Sequence, residues 1–438
     1  MPPRDERIGM DWLLRGVDVL GQGERELYLH RGRLDDPAEA PQGTPVVDCT
    51  GLVALPALVD PHTHLRDPGS GRSETIASGL RAAAAGGYGA VFAMPNTTPV
   101  ADSAGIVEYE VDTAAALGGA DLYAIGAVTK GQQGEELAEI AAMAASRAHV
   151  AMFSDDGHCV ARSDVMRDAL IAIRDAGAVL AQHAQDPLLT VGAQLDDGEL
   201  AARLGKTGWP KMAESVIIAR DAIMAAELGA RLHVCHVSTA SGVEVVRWAK
   251  SMGYPVTAEA SPHHLALTVE DAAGLDPAFK VNPPLRSPAD VAAVRSAFLD
   301  GTLDMVGTDH APHPDDAKAC GWDQAANGML GLETALAVVA DLFVRTGQMS
   351  WAQLAQRMSD RPAELLRLGD SYGADLTLGR PASLCLIAPD QPWQVDPRQL
   401  ASIAHNTPYA RRSYHARVVA TVLRGVPIFD LNARFAMT

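Results

Sequence analysis

Basic residues are in the minority along this 438-residue chain: 36 Lys and Arg stand against 54 Asp and Glu, a net charge of −18. That balance repels nucleic acid and anionic membrane surfaces, and no basic stripe or RNA-binding motif relieves it locally. Aromatics make up only 5% of residues, so the 47% hydrophobic content is mostly aliphatic and suits a soluble globular core. Cysteine is scarce too. The five, at 49, 159, 235, 320 and 385, are odd in number and scattered, which excludes a zinc knuckle and a secreted disulfide framework. No apolar run approaches the length needed to span a bilayer, and MPPRDERIGMDWLL lacks the apolar core of a signal peptide. The expectation is a cytoplasmic protein. No GxGxxG follows a strand, so the dinucleotide-binding fingerprint is missing.

What is present divides into two textures. Residues 1–54 read as short strands and turns punctuated by Gly, Pro and Asp, with no helix of useful length. From residue 55, strands and helices alternate. Leu52–Val59 reads as a buried strand, 73–86 as an alanine-rich helix with a terminal glycine pair, and Tyr88–Ala93 as the next strand. The alternation continues to Met305–Gly307, giving about eight strands, which fits a (β/α)8 barrel better than an open doubly wound sheet. Helices follow over 333–345 and 351–358. From residue 366 the early texture returns, with strands expected at 373–378, 382–387 and 418–423. A lone short β segment cannot bury its own face, so the two flanks are expected to pair. The predicted organisation is a barrel over 55–365 and one discontinuous β domain built from 1–54 and 366–438.

The polar groups of interest each follow a predicted strand: His62 and His64, the pair Asp155-Asp156, then His183, His236 and Asp309. In a barrel all these strand ends converge on one face. Four imidazoles and two carboxylates there suit a pair of divalent transition metals, and the donor set favours zinc. Such cations lower the pKa of water and polarise a carbonyl, which points to hydrolysis of an amide-like bond. Asp309 is the candidate for carrying a proton between water and the leaving nitrogen. Arg66, two residues past His64, presents a fork matched to a carboxylate, and Asn96, Asn282 and His313 can add donors. Arg286 fits a structural ion pair better than a substrate contact.

The motifs DPHTHLRDPG, AMPNTTP, FSDDG, HVCHVST, ASPHHL, NPPLR and GTDHAPH resemble, in order and spacing, the dihydroorotases of the amidohydrolase superfamily. The resemblance covers about 52–335 and, more weakly, the flanking segments. It implies interconversion of N-carbamoyl-L-aspartate and L-dihydroorotate in pyrimidine synthesis. It also implies one or two zinc ions held by His62, His64, Asp156, His183, His236 and Asp309, with substrate held by Arg66, Asn96, Asn282 and His313. Relatives that bridge their metals through a carboxylated lysine have it after the fourth strand. HVAMFSDDG offers no lysine there, so the chain resembles the bacterial class in which an aspartate, here Asp156, takes that place.

The sequence departs from the family pattern at two points. His183 is followed by Ala184-Gln185 where the family often has Cys-Glu. The segment 313–328, expected to be a mobile lid, has Ala326-Asn327-Gly328 where Pro-Phe-Gly is common. Two alternatives stand beside the leading reading. One is a hydantoinase- or allantoinase-like enzyme, against which Arg66 and the missing lysine count. The other is a non-catalytic partner of aspartate transcarbamoylase, against which the six filled ligand positions count. A homodimer and an association with that transcarbamoylase both stay open at this stage.

Overall fold

A computed structural model describes residues 10–373 and 375–436. Eight strands carry the α/β part: β1 (Leu58–Thr63), β2 (Tyr88–Ala93), β3 (Asp121–Ala124), β4 (Met152–Phe153), β5 (Val179–Gln182), β6 (Leu232–Val234), β7 (Val256–Ala260) and β8 (Met305–Val306). β1, β2 and β3 pair in parallel, as do β4 through β8 in order. Parallel bridges join Gly126 to Phe153 and Thr63 to His310, so the pairings run in a complete cycle. Every residue of β1, β2, β5 and β8 is buried, as expected of parallel strands covered on both faces.

The helices between the strands start and stop on local signals. Thr75 caps Ile76–Ala85 by accepting from Ser78 N–H, while Ser78 Oγ accepts from Thr75 N–H. That helix ends at Gly86, where a Cβ would lie 2.2 Å from the Leu332 carbonyl oxygen, a contact only glycine tolerates. Further helices span Ala104–Leu117, Ser163–Asp175, Met212–Leu228, Ala240–Ser251 and Pro288–Asp300. None among the described residues is long and apolar enough to cross a membrane.

A separate sheet joins the two ends of the chain. Its order is Val426–Asp430, Arg417–Leu423, Leu384–Ala388, Val53–Pro56, Trp12–Val19, Glu24–His30 and Arg33–Asp35, with Val46–Asp48 also on Trp12–Val19. The central contact is antiparallel, Val53–Pro56 against Leu384–Ile387. The expected strand over 52–59 is therefore two strands. Up to Pro56 the chain pairs with the C-terminal segment. At Ala57, whose N–H donates to Ser383 O, it changes partner, and Leu58 N–H donates to Gly87 O at the start of β2. Both halves are apolar and fully buried, so composition gives no sign of the switch. The strand expected at 373–378 does not form over 375–378, and Ala374 lies outside the described residues. Leu378 is 63% exposed beside a turn at 378–380; strand propensity without a neighbouring strand to pack on is insufficient.

Two loops matter for the site. The excursion after β5 forms a two-strand unit, Leu195–Asp196 with Gly208–Trp209, around a short helix. Its Leu195 and Leu200 cluster with Trp322 of the segment 313–328. Leu386, fully buried in the sheet that joins the termini, ties those ends together. Leu386→Ala is expected to cost about 2–5 kcal/mol, checked by denaturant unfolding.

Candidate metal centre

The cycle of strands places the sequence-singled groups at one end. Asp156 sits at the centre. Its Oδ2 lies 3.5 Å from His62 Nε2 and 3.3 Å from His64 Nε2, while its Oδ1 lies 3.3 Å from His183 Nδ1 and 3.2 Å from His236 Nε2. One carboxylate thus faces two separate histidine pairs, one through each oxygen. Asp309 joins the first pair, with Oδ1 3.3 Å from His64 Nε2 and 3.6 Å from His62 Nε2. All six groups are buried.

The outward ring nitrogens have partners that fix which nitrogen faces inward. His62 Nδ1–H donates to Glu259 Oε1 at 2.6 Å, His64 Nδ1–H to Asn96 Oδ1 at 2.8 Å, and His183 Nε2–H to Gln185 Oε1 at 2.8 Å. Each of these three rings therefore presents a bare nitrogen to the centre. His62 Nε2 and Asp309 Oδ2 have no hydrogen-bond partner among the described residues despite complete burial. Buried carboxylates facing lone pairs, with polar atoms left over, form a donor set that fits divalent cations. The groups His62, His64, Asp156 and Asp156, His183, His236 each bring their donor atoms within 4.8 Å of one another.

Electrostatics agree with the geometry. Burial opposes ionisation of Asp156 and Asp309, yet the facing imidazoles hold both carboxyls well below the ordinary carboxylate range. Burial likewise opposes charge on His62, but Asp156 and Glu259 push it well above the usual imidazole range. The positive charge that these carboxylates favour at His62 is of the sign that a cation at the centre would supply.

Local backbone serves the site as well. Arg66, His236 and Asp309 all have positive φ, at 56°, 31° and 48°, a strained region for residues with a Cβ. Asp60 closes the seam beside them. Its Oδ1 accepts from Thr308 N–H at 2.9 Å and its Oδ2 from the hydroxyls of Thr308, at 2.6 Å, and Thr63. That fastens β1 to the end of β8, where Asp309 emerges. Burial raises the Asp60 carboxyl to about 6.

The other sequence-singled residues divide. Among the described residues the Arg66 guanidinium makes no hydrogen bond or ion pair; it lies in the field of Asp156 and Asp309, and burial lowers its pKa. His313 lies in the field of Arg66, and its Nε2–H donates to Asn327 O at 2.6 Å. Asn96 is committed to His64, and Asn282 donates to Gln185 Oε1 at 2.7 Å beside His183 Nε2. Arg286 is structural: fully buried, it donates to Asp196, Ser238 and the Trp209 carbonyl and stacks on the Trp209 ring. The segment 313–328 is docked. Lys318 Nζ donates to Pro277 O and Lys280 O, and Lys280 Nζ donates to Trp322 O.

Four groups at the centre had no role assigned to them from the sequence. Glu259 accepts from His62, from the backbone N–H of His236, and from His233 Nε2–H. Gln185 stands where the family pattern often has a glutamate and still orients His183. His263 Nε2 lies 3.6 Å from Asp309 Oδ2, with burial lowering that imidazole to about 4. Asp60 is the fourth. The usable signal was a buried acid inside an apolar strand, which needs a specific partner.

Asp155, by contrast, points away. It accepts from the N–H groups of Val128 and Thr129 and from the Thr129 hydroxyl. Asp156→Asn is expected to lower the divalent-metal content of purified protein by roughly ten-fold or more, read by elemental analysis. Asp155→Asn is expected to leave metal content near wild type and to cost about 1–3 kcal/mol of stability, read by denaturant unfolding.

The comparisons with known proteins bear on this centre. Residues 51–242 match the Dihydro-orotase-like family model. The chain is 51% identical to a dihydroorotase of Leifsonia xyli over 93% of both chains. It is 50% identical to a dihydroorotase of Streptomyces coelicolor, covering 94% of this chain and 97% of that one. A Mycobacterium tuberculosis dihydroorotase is 46% identical over 95% of this chain and 97% of its own. Among solved structures, the L-hydantoinase of Arthrobacter aurescens superposes with a TM-score of 0.84 at 24% identity, covering 96% of each chain. That likeness shows a shared fold. With relatives near half identical along almost its whole length, the chain belongs to the dihydroorotase family of cyclic amide hydrolases.

Proposed function

We propose that this protein is a zinc-dependent dihydroorotase that closes N-carbamoyl-L-aspartate to L-dihydroorotate and water, reversibly, in pyrimidine biosynthesis. The observation that carries the reading is Asp156, with one oxygen toward His62 and His64 and the other toward His183 and His236. The cycle of parallel pairings supports a (β/α)8 barrel ending near residue 365, with the flanking segments as one β domain. We place the first boundary at Ala57, where the strand changes partner. Five free cysteines support a reducing, cytoplasmic setting.

Divalent cations held at this centre would polarise the scissile carbonyl and make water acidic enough to attack at neutral pH. Asp309 is assigned the proton. In ring opening its carboxylate takes a proton from the attacking water and gives it to the ring nitrogen as the C–N bond breaks. In closure it takes the proton from the attacking ureido nitrogen and returns it to the departing oxygen. A carboxyl held well below its ordinary range starts deprotonated, as a base must. Arg66, unpaired among the described residues, offers its fork to the substrate carboxylate, and His313, within its field, is assigned a second substrate contact. A neutral hydantoin or dihydrouracil ring has no carboxylate to meet that fork.

Purified protein is expected to open L-dihydroorotate, to lose activity on chelation and to regain it with zinc, followed by ultraviolet absorbance with metal content assayed in parallel. Turnover of hydantoin or dihydrouracil in place of dihydroorotate would move the assignment to a hydantoinase, and folded, metal-free, inert protein would leave a scaffold. Arg66→Ala is expected to remove a charge-assisted contact of roughly 1.5–3 kcal/mol, appearing as about a ten- to hundred-fold rise in KM. A KM equal to wild type would exclude the carboxylate clamp.

A further inference from the structure

One buried amide from the C-terminal segment ties together both ends of the segment that carries His313. Asn406, 6% exposed, accepts at Oδ1 from His313 N–H at 3.1 Å. Its Nδ2 donates to Ala311 O at 3.0 Å, just before that segment, and to Gly328 O at 3.1 Å, at its end. Its own carbonyl accepts from Leu330 N–H at 3.1 Å. An asparagine side chain has two N–H donors and one carbonyl acceptor, and here all of them are spent on the backbone of these two ends. The closure is tight. Gly328 has φ +141°, and a Cβ there would lie 2.9 Å from His313 Nε2 and 2.8 Å from Ala311 Cβ. Ala311 N–H donates to Met329 O at 2.8 Å alongside, so the two ends form a short ladder with Asn406 as its side-chain rung.

We infer that Asn406 is a positioning residue for substrate binding: by cross-tying 311–313 to 328–330 it holds His313 beside Arg66 at the mouth of the centre. The inference rests on the proposed dihydroorotase reading, in which His313 and Arg66 meet the substrate. Its physical content is a population. Untied, the segment spends part of its time away from the binding arrangement, and apparent affinity falls by the fraction still competent. Once substrate is bound the arrangement is restored, so the chemical step is little changed. The contacts of Lys318 and Lys280 keep the segment attached without fixing the His313 end.

The test compares wild type, N406A, N406D and H313A, using dihydroorotate kinetics, metal content, thermal midpoint and trypsin cleavage after Lys318. N406A is expected to raise KM roughly ten-fold with kcat within about two-fold of wild type. It is also expected to be cut faster after Lys318, with saturating dihydroorotate slowing the cut and metal content unchanged. N406D keeps the acceptor for His313 N–H but turns an oxygen toward the carbonyls of Ala311 and Gly328, so it too is expected to raise KM. Unchanged KM in both Asn406 variants overturns the inference, as does unchanged cleavage. A kcat loss accompanied by metal loss and a lowered thermal midpoint also overturns it, because that marks general damage. A wild-type KM in H313A also overturns the inference, because the tie would then hold no group that meets the substrate. If dihydroorotate is not a substrate at all, the dihydroorotase reading fails, and cleavage after Lys318 alone decides whether Asn406 ties the segment.

Discussion

Burying carboxylates is costly unless each is matched by opposite charge or donors, and that constraint governs this molecule. Asp156 and Asp309 are buried at one end of the strand cycle, and their oxygens face imidazole nitrogens within 3.2–3.6 Å. The imidazoles stay oriented because Glu259, Asn96 and Gln185 occupy their far sides. Remove the outer partners and the inner nitrogens are free to turn. The centre is therefore two layers deep, and the outer layer contains a glutamate, an asparagine and a glutamine contributed by three different parts of the chain.

Closure of the strand cycle is what makes those layers meet. Residues 62 and 309 are far apart in sequence, yet Asp309 N–H donates to His62 O at 3.0 Å because Thr63 and His310 pair across the seam. Asp60 secures that seam through Thr308 and Thr63, so one buried acid in the first strand sets the position of an acid after the last. The C-terminal segment extends the same logic outward. Glu74, after β1, pairs with His310, and its carboxylate also accepts from the Ser402 hydroxyl and the N–H of Ile403. The end of the chain is thereby part of the wall around the centre as well as a strand of the joining sheet.

Much of this is legible in the amino-acid sequence. His62 and His64, spaced by one residue at the end of an apolar run, and the strand-end positions of His183, His236 and Asp309 marked the inner layer, because strand periodicity fixes which side chains share a face. The outer layer was not legible. Glu259 looks like any acid in VTAEASPHHL; the pairing of β7 with β6 brings it to His233 and the backbone of His236, and closure of the strand cycle brings it to His62 on β1. Asn96 and Asn282 read from the sequence as substrate donors, but one amide can equally serve an imidazole or its partner, and only the folded chain brings Asn96 to His64 and Asn282 to Gln185.

By itself, then, the sequence determined the alternation of strands and helices, the inward histidines with Asp309, and the acidic background that makes Arg66 conspicuous. These depend on residue type and local period, which are written in the chain. Tertiary structure decided that Leu52–Val59 splits at Ala57, that Asp155 turns to Val128 and Thr129 and leaves Asp156, the residue the family resemblance favoured, facing the histidines, and that Asn406 reaches the His313 segment. Each of those is a choice between partners of the same chemistry, and such a choice is made by which atoms the folded chain brings within hydrogen-bonding distance.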